Sequence, residues 1–198
     1  MKGATRLEQP LPGIYRWAYD SPEHRVELTS HAIRTATGVL IFDPIPLVRE
    51  SVEELTAGAL PAAIILTNAN HVRAAATWQA RLGCRVFGPR EASAELAGVE
   101  PFDPTQFPLP GWTVVGLPGG APGESAFLHS TLSLAIFGDA VVHLPGRGLE
   151  ILPTKYCTNA EELRASLRHF LSQSFSHALF AHGQPLTSKA SERISALL

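Results

Sequence analysis

Residues 62–75, Ala-Ala-Ile-Ile-Leu-Thr-Asn-Ala-Asn-His-Val-Arg-Ala-Ala, decide how the rest of the chain is read. Residues 62–66 are an apolar run of a length that suits a buried strand. Residues 71–82, closed by Gly83, have the pattern of a helix. A strand that feeds a helix through a short polar loop is a common place for a ligand in α/β proteins. This loop offers two carboxamides (Asn68 and Asn70), one imidazole (His71) and one guanidinium (Arg73), but no carboxylate. It is either an active site or what remains of one.

Upstream, residues 14–17 and 31–36 read as strands. Gly38 turns into Val39-Leu40-Ile41-Phe42, a buried strand stopped by Asp43-Pro44. Residues 47–57 set Leu47, Val48, Val52 and Leu55 among acids, the pattern of an amphipathic helix, and Gly58 ends it. Downstream, residues 84–87 read as a strand and 91–97 as a short helix. The proline-rich stretch 101–123 holds a single strand candidate, 112–115, and a hairpin pair follows at 125–129 and 132–137. Asn159 is placed to cap a helix over 160–171, with Glu162 as its reciprocal partner. Residues 178–180 read as a late strand, and Thr187 as the cap of a terminal helix. There is no internal repeat and no low-complexity linker. The order of elements predicts one α/β (α+β) domain over residues 1–198, with two sheets flanked by helices.

Composition narrows the function. The 198 residues are 45% hydrophobic and carry a formal charge of −2, an ordinary soluble balance. No basic stripe points to nucleic acid, and no apolar run approaches the roughly 20 residues of a membrane helix. Met1-Lys2-Gly3-Ala4-Thr5-Arg6 lacks the apolar stretch of a signal peptide. Cys84 and Cys157 form no Cys-x-x-Cys, so they are expected to be free thiols in a reducing cytoplasm. The expected partner is a small molecule, and the oligomeric state is not legible.

Four short stretches carry a resemblance. They are the strand-Asp turn Leu40-Ile41-Phe42-Asp43-Pro44, then Gly119-Gly120-Ala121-Pro122-Gly123, then Gly138-Asp139-Ala140, and Ala181-His182-Gly183 before Gln184-Pro185. In this order the chain, from Ile14 onward, resembles the metallo-β-lactamase fold superfamily, which includes hydroxyacylglutathione hydrolases and lactonases. The resemblance implies a four-layer αββα sandwich with a metal site along one edge. The family pattern is Thr-His-x-His-x-Asp-His, Gly-His-Thr-Pro-Gly, Gly-Asp-Ala and Gly-His-Gly. Here Gly120 stands where the second motif has its histidine.

The loop at 66–75 departs most from that pattern. Aligned forward from Leu66-Thr67, Asn68 and Asn70 fall on the two histidines, and Val72 and Arg73 on the Asp-His. Aligned backward from Gly83, His71 falls on the last histidine and Asn70 on the aspartate, with the His-x-His portion shortened by two residues. The second register is preferred, because a loop absorbs a deletion more readily than a packed helix. The resemblance then implies that the first metal site is lost, while His71, Asp139 and His182 remain from the second. Two imidazoles and a carboxylate suit one transition metal with open positions, Zn, Fe or Mn. Asn68, Asn70, Arg73, Gly120 and Lys155 are the expected pocket lining, and residues 68–71 are expected to face Asp139 and His182 across a cleft.

Plainer readings exist for each residue. Asn68 or Asn70 could cap the following helix, Asp139 suits a turn, and Arg73 and Lys155 suit a solvated surface. Two functions follow. One is a one-metal hydrolase of ester- or lactone-type small molecules; the other is a non-catalytic pseudoenzyme that binds a small molecule or partner in the residual cleft.

Overall fold

The computed structural model describes Ala4 and residues 6–198; Met1 to Gly3 and Thr5, part of the stretch read for a signal peptide, lie outside the described residues. The chain opens with strands β1 (Glu8–Leu11), β2 (Ile14–Ser21), β3 (Val26–Thr35) and β4 (Gly38–Phe42). Helix α1 (Arg49–Thr56), β5 (Pro61–Ile65), α2 (Ala75–Leu82), β6 (Arg85–Gly88) and β7 (Val99–Pro101) follow. These seven strands form one sheet in the order β1 to β7. Pairing is antiparallel up to β4 and parallel from β4 to β7.

The second half gives β8 (Trp112–Gly116), β9 (Ser125–His129) and β10 (Leu134–Phe137). A small hairpin, β11 (Val141–Leu144) with β12 (Gly148–Ile151), comes next. Helix α3 (Ala160–Phe170), β13 (His177–Phe180) and α4 (Ala190–Ser195) complete the chain. The second sheet runs β13-β10-β9-β8, with β10 and β13 parallel.

Alternation along the strands builds the layers, because successive side chains leave opposite faces of a sheet. Leu40 and Phe42 of β4 meet Phe127, Leu134, Ile136 and Leu179 of the second sheet, and this cluster is the interior between the sheets. Val39 and Ile41 point the other way, onto Val52 and Leu55 of α1 and Ala75 and Trp78 of α2. On the far side, Ala135, Phe137 and Phe180 bury Leu163, Leu167 and Phe170 of α3 and Ile194 of α4. Three apolar interfaces separate four layers, and the architecture is an αββα sandwich.

Several elements differ from the sequence expectation. The helix expected over 71–82 is a 3₁₀ turn, Ala69–His71, followed by α2 from Ala75. Arg73 between them has φ 42°, a left-handed backbone that a continuous helix cannot contain. The helix expected over 91–97 is a 3₁₀ turn, Arg90–Ala94. Thr187 caps nothing: α4 begins after Lys189, which has φ 50° and no side-chain cap. Asn159 does cap α3, its carboxamide oxygen accepting from the Glu161 and Glu162 amides. Strands β1, β7, β11 and β12 were not anticipated. Both cysteines are free, and no helix among the described residues is long and apolar enough to cross a membrane.

Candidate metal centre

The site residues sit where parallel strands end. Asp43 follows β4, Thr67 and Asn68 follow β5, Asp139 follows β10 and His182 follows β13. Strands β4 and β5 are parallel neighbours in one sheet, β10 and β13 in the other, so their carboxyl ends open on one edge of the sandwich. Loops at the carboxyl ends of parallel strands form the crevices where α/β proteins hold ligands.

At this edge three predicted residues meet. His71 Nε2 lies 3.2 Å and His182 Nε2 3.0 Å from the same oxygen, Asp139 Oδ1. Ligand-type atoms of the three lie within 4.8 Å of one another, and the two imidazole rings are 5.5 Å apart. The other ring nitrogens are committed to protein acceptors. His182 Nδ1 is 3.0 Å from the Glu27 carbonyl oxygen, which can only accept, so Nδ1 carries the hydrogen. His71 Nδ1 faces Asp43 Oδ2 at 3.0 Å and Thr67 Oγ1 at 2.8 Å. The Thr67 hydroxyl and amide both donate to Asp43, at 2.7 and 2.8 Å, which fixes that carboxylate as the acceptor for His71. Both imidazoles therefore turn Nε2 toward Asp139. A histidine anchored through one nitrogen by a carboxylate or carbonyl presents the other for coordination.

Charge in this cluster is unevenly distributed. Burial and Arg73 both push the His71 imidazole toward its neutral form, but Asp139 and Asp43 outweigh them and its pKa rises to about 9. Burial lowers His182, against its hydrogen bond to Asp139. For Asp139, burial acts upward but is outweighed by His71 and His182, and the carboxyl is held well below the usual carboxylate range. Asp43 is likewise lowered, by His71 against burial. At neutral pH the cluster holds the Asp43 and Asp139 carboxylates with the His71 imidazolium between them.

Three residues that sequence reasoning did not assign to the site are built into it. Asp43 was legible only as a turn, and Thr67 only as part of a motif. Glu124 gave no signal at all. It is 3% exposed, accepts from the Ala140 amide at 3.0 Å and from Asn68 Nδ2 at 2.7 Å. Burial and the Asp139 charge push it up to about 8. Asn68 Nδ2 also donates to Asp139 Oδ2, at 3.1 Å, so one carboxamide bridges two carboxyl groups. Its Oδ1 accepts the Asn70 amide and caps the 3₁₀ turn.

The other expected lining residues divide. Gly120 is buried beside Glu124. Arg73 turns away from a ligand role: its guanidinium donates to the carbonyls of Thr29 (2.7 Å), Asp43 (3.0 Å) and Ala181 (3.2 Å). Asn70 is exposed, and only its backbone amide joins the cluster. Lys155 is exposed on a 3₁₀ turn with its ammonium 4.7 Å from the centre of the Tyr156 ring. Neither Asn70 nor Lys155 is brought to the three converging residues, because both side chains project from turns toward solvent.

Comparison with known proteins places the geometry in context. The family model described as metallo-beta-lactamase superfamily matches residues 6–197. No curated protein sequence matches the chain. Among solved structures, the DIM-1 metallo-β-lactamase exposed to ceftazidime superposes with a TM-score of 0.76 at 13% identity, covering 97% of this chain and 95% of that one. A metallo-β-lactamase from Hirschia baltica gives 0.71 at 13% identity, with 98% and 97% covered. TTHA1623, solved in a di-iron-bound form, gives 0.65 at 26% identity, with 87% and 94% covered.

Proposed function

Because the chain belongs to the metallo-β-lactamase superfamily, we propose that it is a metal-dependent hydrolase of small esters or lactones that works with a single ion held by His71, Asp139 and His182. The observation that carries this reading is the convergence of two pre-oriented Nε2 atoms on one aspartate oxygen, with both Nδ1 hydrogens committed elsewhere. That donor set fits Zn, Fe or Mn: two imidazoles and one carboxylate leave open positions for a substrate. A divalent ion bound there would supply Lewis acidity toward a carbonyl group.

The protein's own residues then have definable tasks. Asp43 and Thr67 hold His71 in one tautomer and one ring orientation, and the Glu27 carbonyl does the same for His182. Asn68 ties down Asp139 Oδ2 and leaves Oδ1 for the ion. Hydrolysis of β-lactams or glutathione thioesters at kcat of about 1–10³ s⁻¹ is not expected, because the ligands for a second ion are missing.

A second reading has its own support. The His71 imidazolium already bridges Asp43 and Asp139, so the cluster is closed without an ion, as a non-catalytic binding cleft would be. Elemental analysis of protein purified without chelator, followed by assay on aryl esters and lactones, separates the two. The hydrolase reading expects about one ion per chain, lost together with activity in His182→Ala. No ion in any preparation supports the second reading, and two ions per chain refute the single-ion site.

A further inference from the structure

Positions 68 and 120 point at the same side chain. Asn68 Nδ2 is 2.7 Å from Glu124 Oε2, and a Cβ added at Gly120 would stand 3.0 Å from Glu124 Cγ and 3.2 Å from its Cβ. Glu124 cannot swing aside freely, because Oε1 takes the Ala140 amide and Oε2 takes Asn68. Gly138 closes the same space: a Cβ there would come within 2.7 Å of Glu124 Oε1 and 3.0 Å of Asn68 Nδ2.

We propose that Glu124, anchored by the Ala140 amide, is an internal plug that fills the space beside Asp139 and restricts the cleft to one ion. This rests on the reading of His71, Asp139 and His182 as a metal centre. Missing histidines alone would leave a gap that water and a loosely held cation could enter. Here the gap is occupied by a side chain anchored at both oxygens. The two Nδ2 hydrogens of Asn68 are spent on Glu124 and Asp139, so they present positive charge where a second cation would need negative charge. Glycine at 120 is then required by the plug, since any larger residue would press on Glu124 Cγ, the middle of a side chain held at its end.

The test is a comparison of ion counts. Asn68→His/Gly120→His restores two imidazoles while keeping Glu124; the same pair with Glu124→Ala also removes the plug. All three proteins, parent included, are loaded with zinc and with cobalt, desalted, and measured by elemental analysis and by cobalt absorption. The expected result is no gain over the parent with Glu124 present and one additional ion per chain without it. A gain with Glu124 in place overturns the proposal, as does no gain after its removal. An ion-free parent would refute the resident metal, while the difference between the variants still decides the plug. Should the histidine variants fail to fold, Gly120→Ala decides alone. It is expected to lower Tm by roughly 2–6 °C in the parent and by much less in a Glu124→Ala background. Equal losses in the two backgrounds overturn the proposal.

Discussion

His71 has an aspartate at each ring nitrogen, and so it carries a proton that a coordinated imidazole cannot keep. With its pKa raised to about 9, binding of an ion at pH 7 should release close to one proton. Titration calorimetry in buffers of different ionisation enthalpy measures this directly, and absence of release would remove His71 from the ligand set. Apparent affinity should rise about tenfold per pH unit and level off near pH 9. In ion-free protein the folded pKa lies above the ordinary 6.5, so the contribution of His71 is complete below 6.5 and lost as pH rises to about 9. Glu124, raised from 4.5 to about 8, acts in the same direction. Thermal melts of chelated protein should therefore show Tm falling from pH 6.5 to 9; a rise would contradict the buried charge pattern. Gly138 makes a steric prediction. A methyl group there would lie 2.6 Å from Thr67 Oγ1, so Gly138→Ala should cost about 2–3 kcal/mol in urea unfolding. The sequence motif identified Asp139 and His182, but Glu124 was not legible, since nothing local marks a carboxylate whose partners lie 16 and 56 residues away.

At the scale of elements, the turn between β5 and α2 shows where local reading stops. Asn159 works as a cap because its bonds reach only two and three residues ahead, which a sequence displays directly. The start of α2 depends instead on Arg73, whose left-handed backbone breaks the helical run and sends its guanidinium to three carbonyls on β3, the β4 turn and the β13 turn. These acceptors come together only in the folded sandwich. Arg73→Ala should take a donor from all three, although the Asp43 carbonyl keeps the Ser30 hydroxyl and the Ala181 carbonyl keeps the Thr29 amide, and should cost about 1–3 kcal/mol by chemical denaturation. Arg73→Lys should recover only part of this, because one ammonium cannot fork across both sheets. Full recovery by lysine would mean that charge, not geometry, matters here. The β11–β12 hairpin was missed for a related reason: its four-residue strands pair with each other and join no larger sheet.

For the whole molecule, the order of strands, helices and punctuating motifs was enough to give the sandwich, since each buried run alternates in a way that assigns its two faces. What periodicity leaves open is how closely the two halves approach at the open edge. His71 stands on the first sheet's side of that edge, Asp139 and His182 on the second's. An ion shared among them would be a reversible crosslink between halves of the chain that are distant in sequence. Its effect should appear in how the folded protein breathes. Amides at the ends of β5, β10 and β13 should exchange with deuterium more slowly when the ion is bound, by a factor that grows with ion concentration, while amides under α1 stay unchanged. The edge that admits a ligand would then also be the seam along which the protein opens, and withdrawal of the ion would be felt first as exposure to proteases.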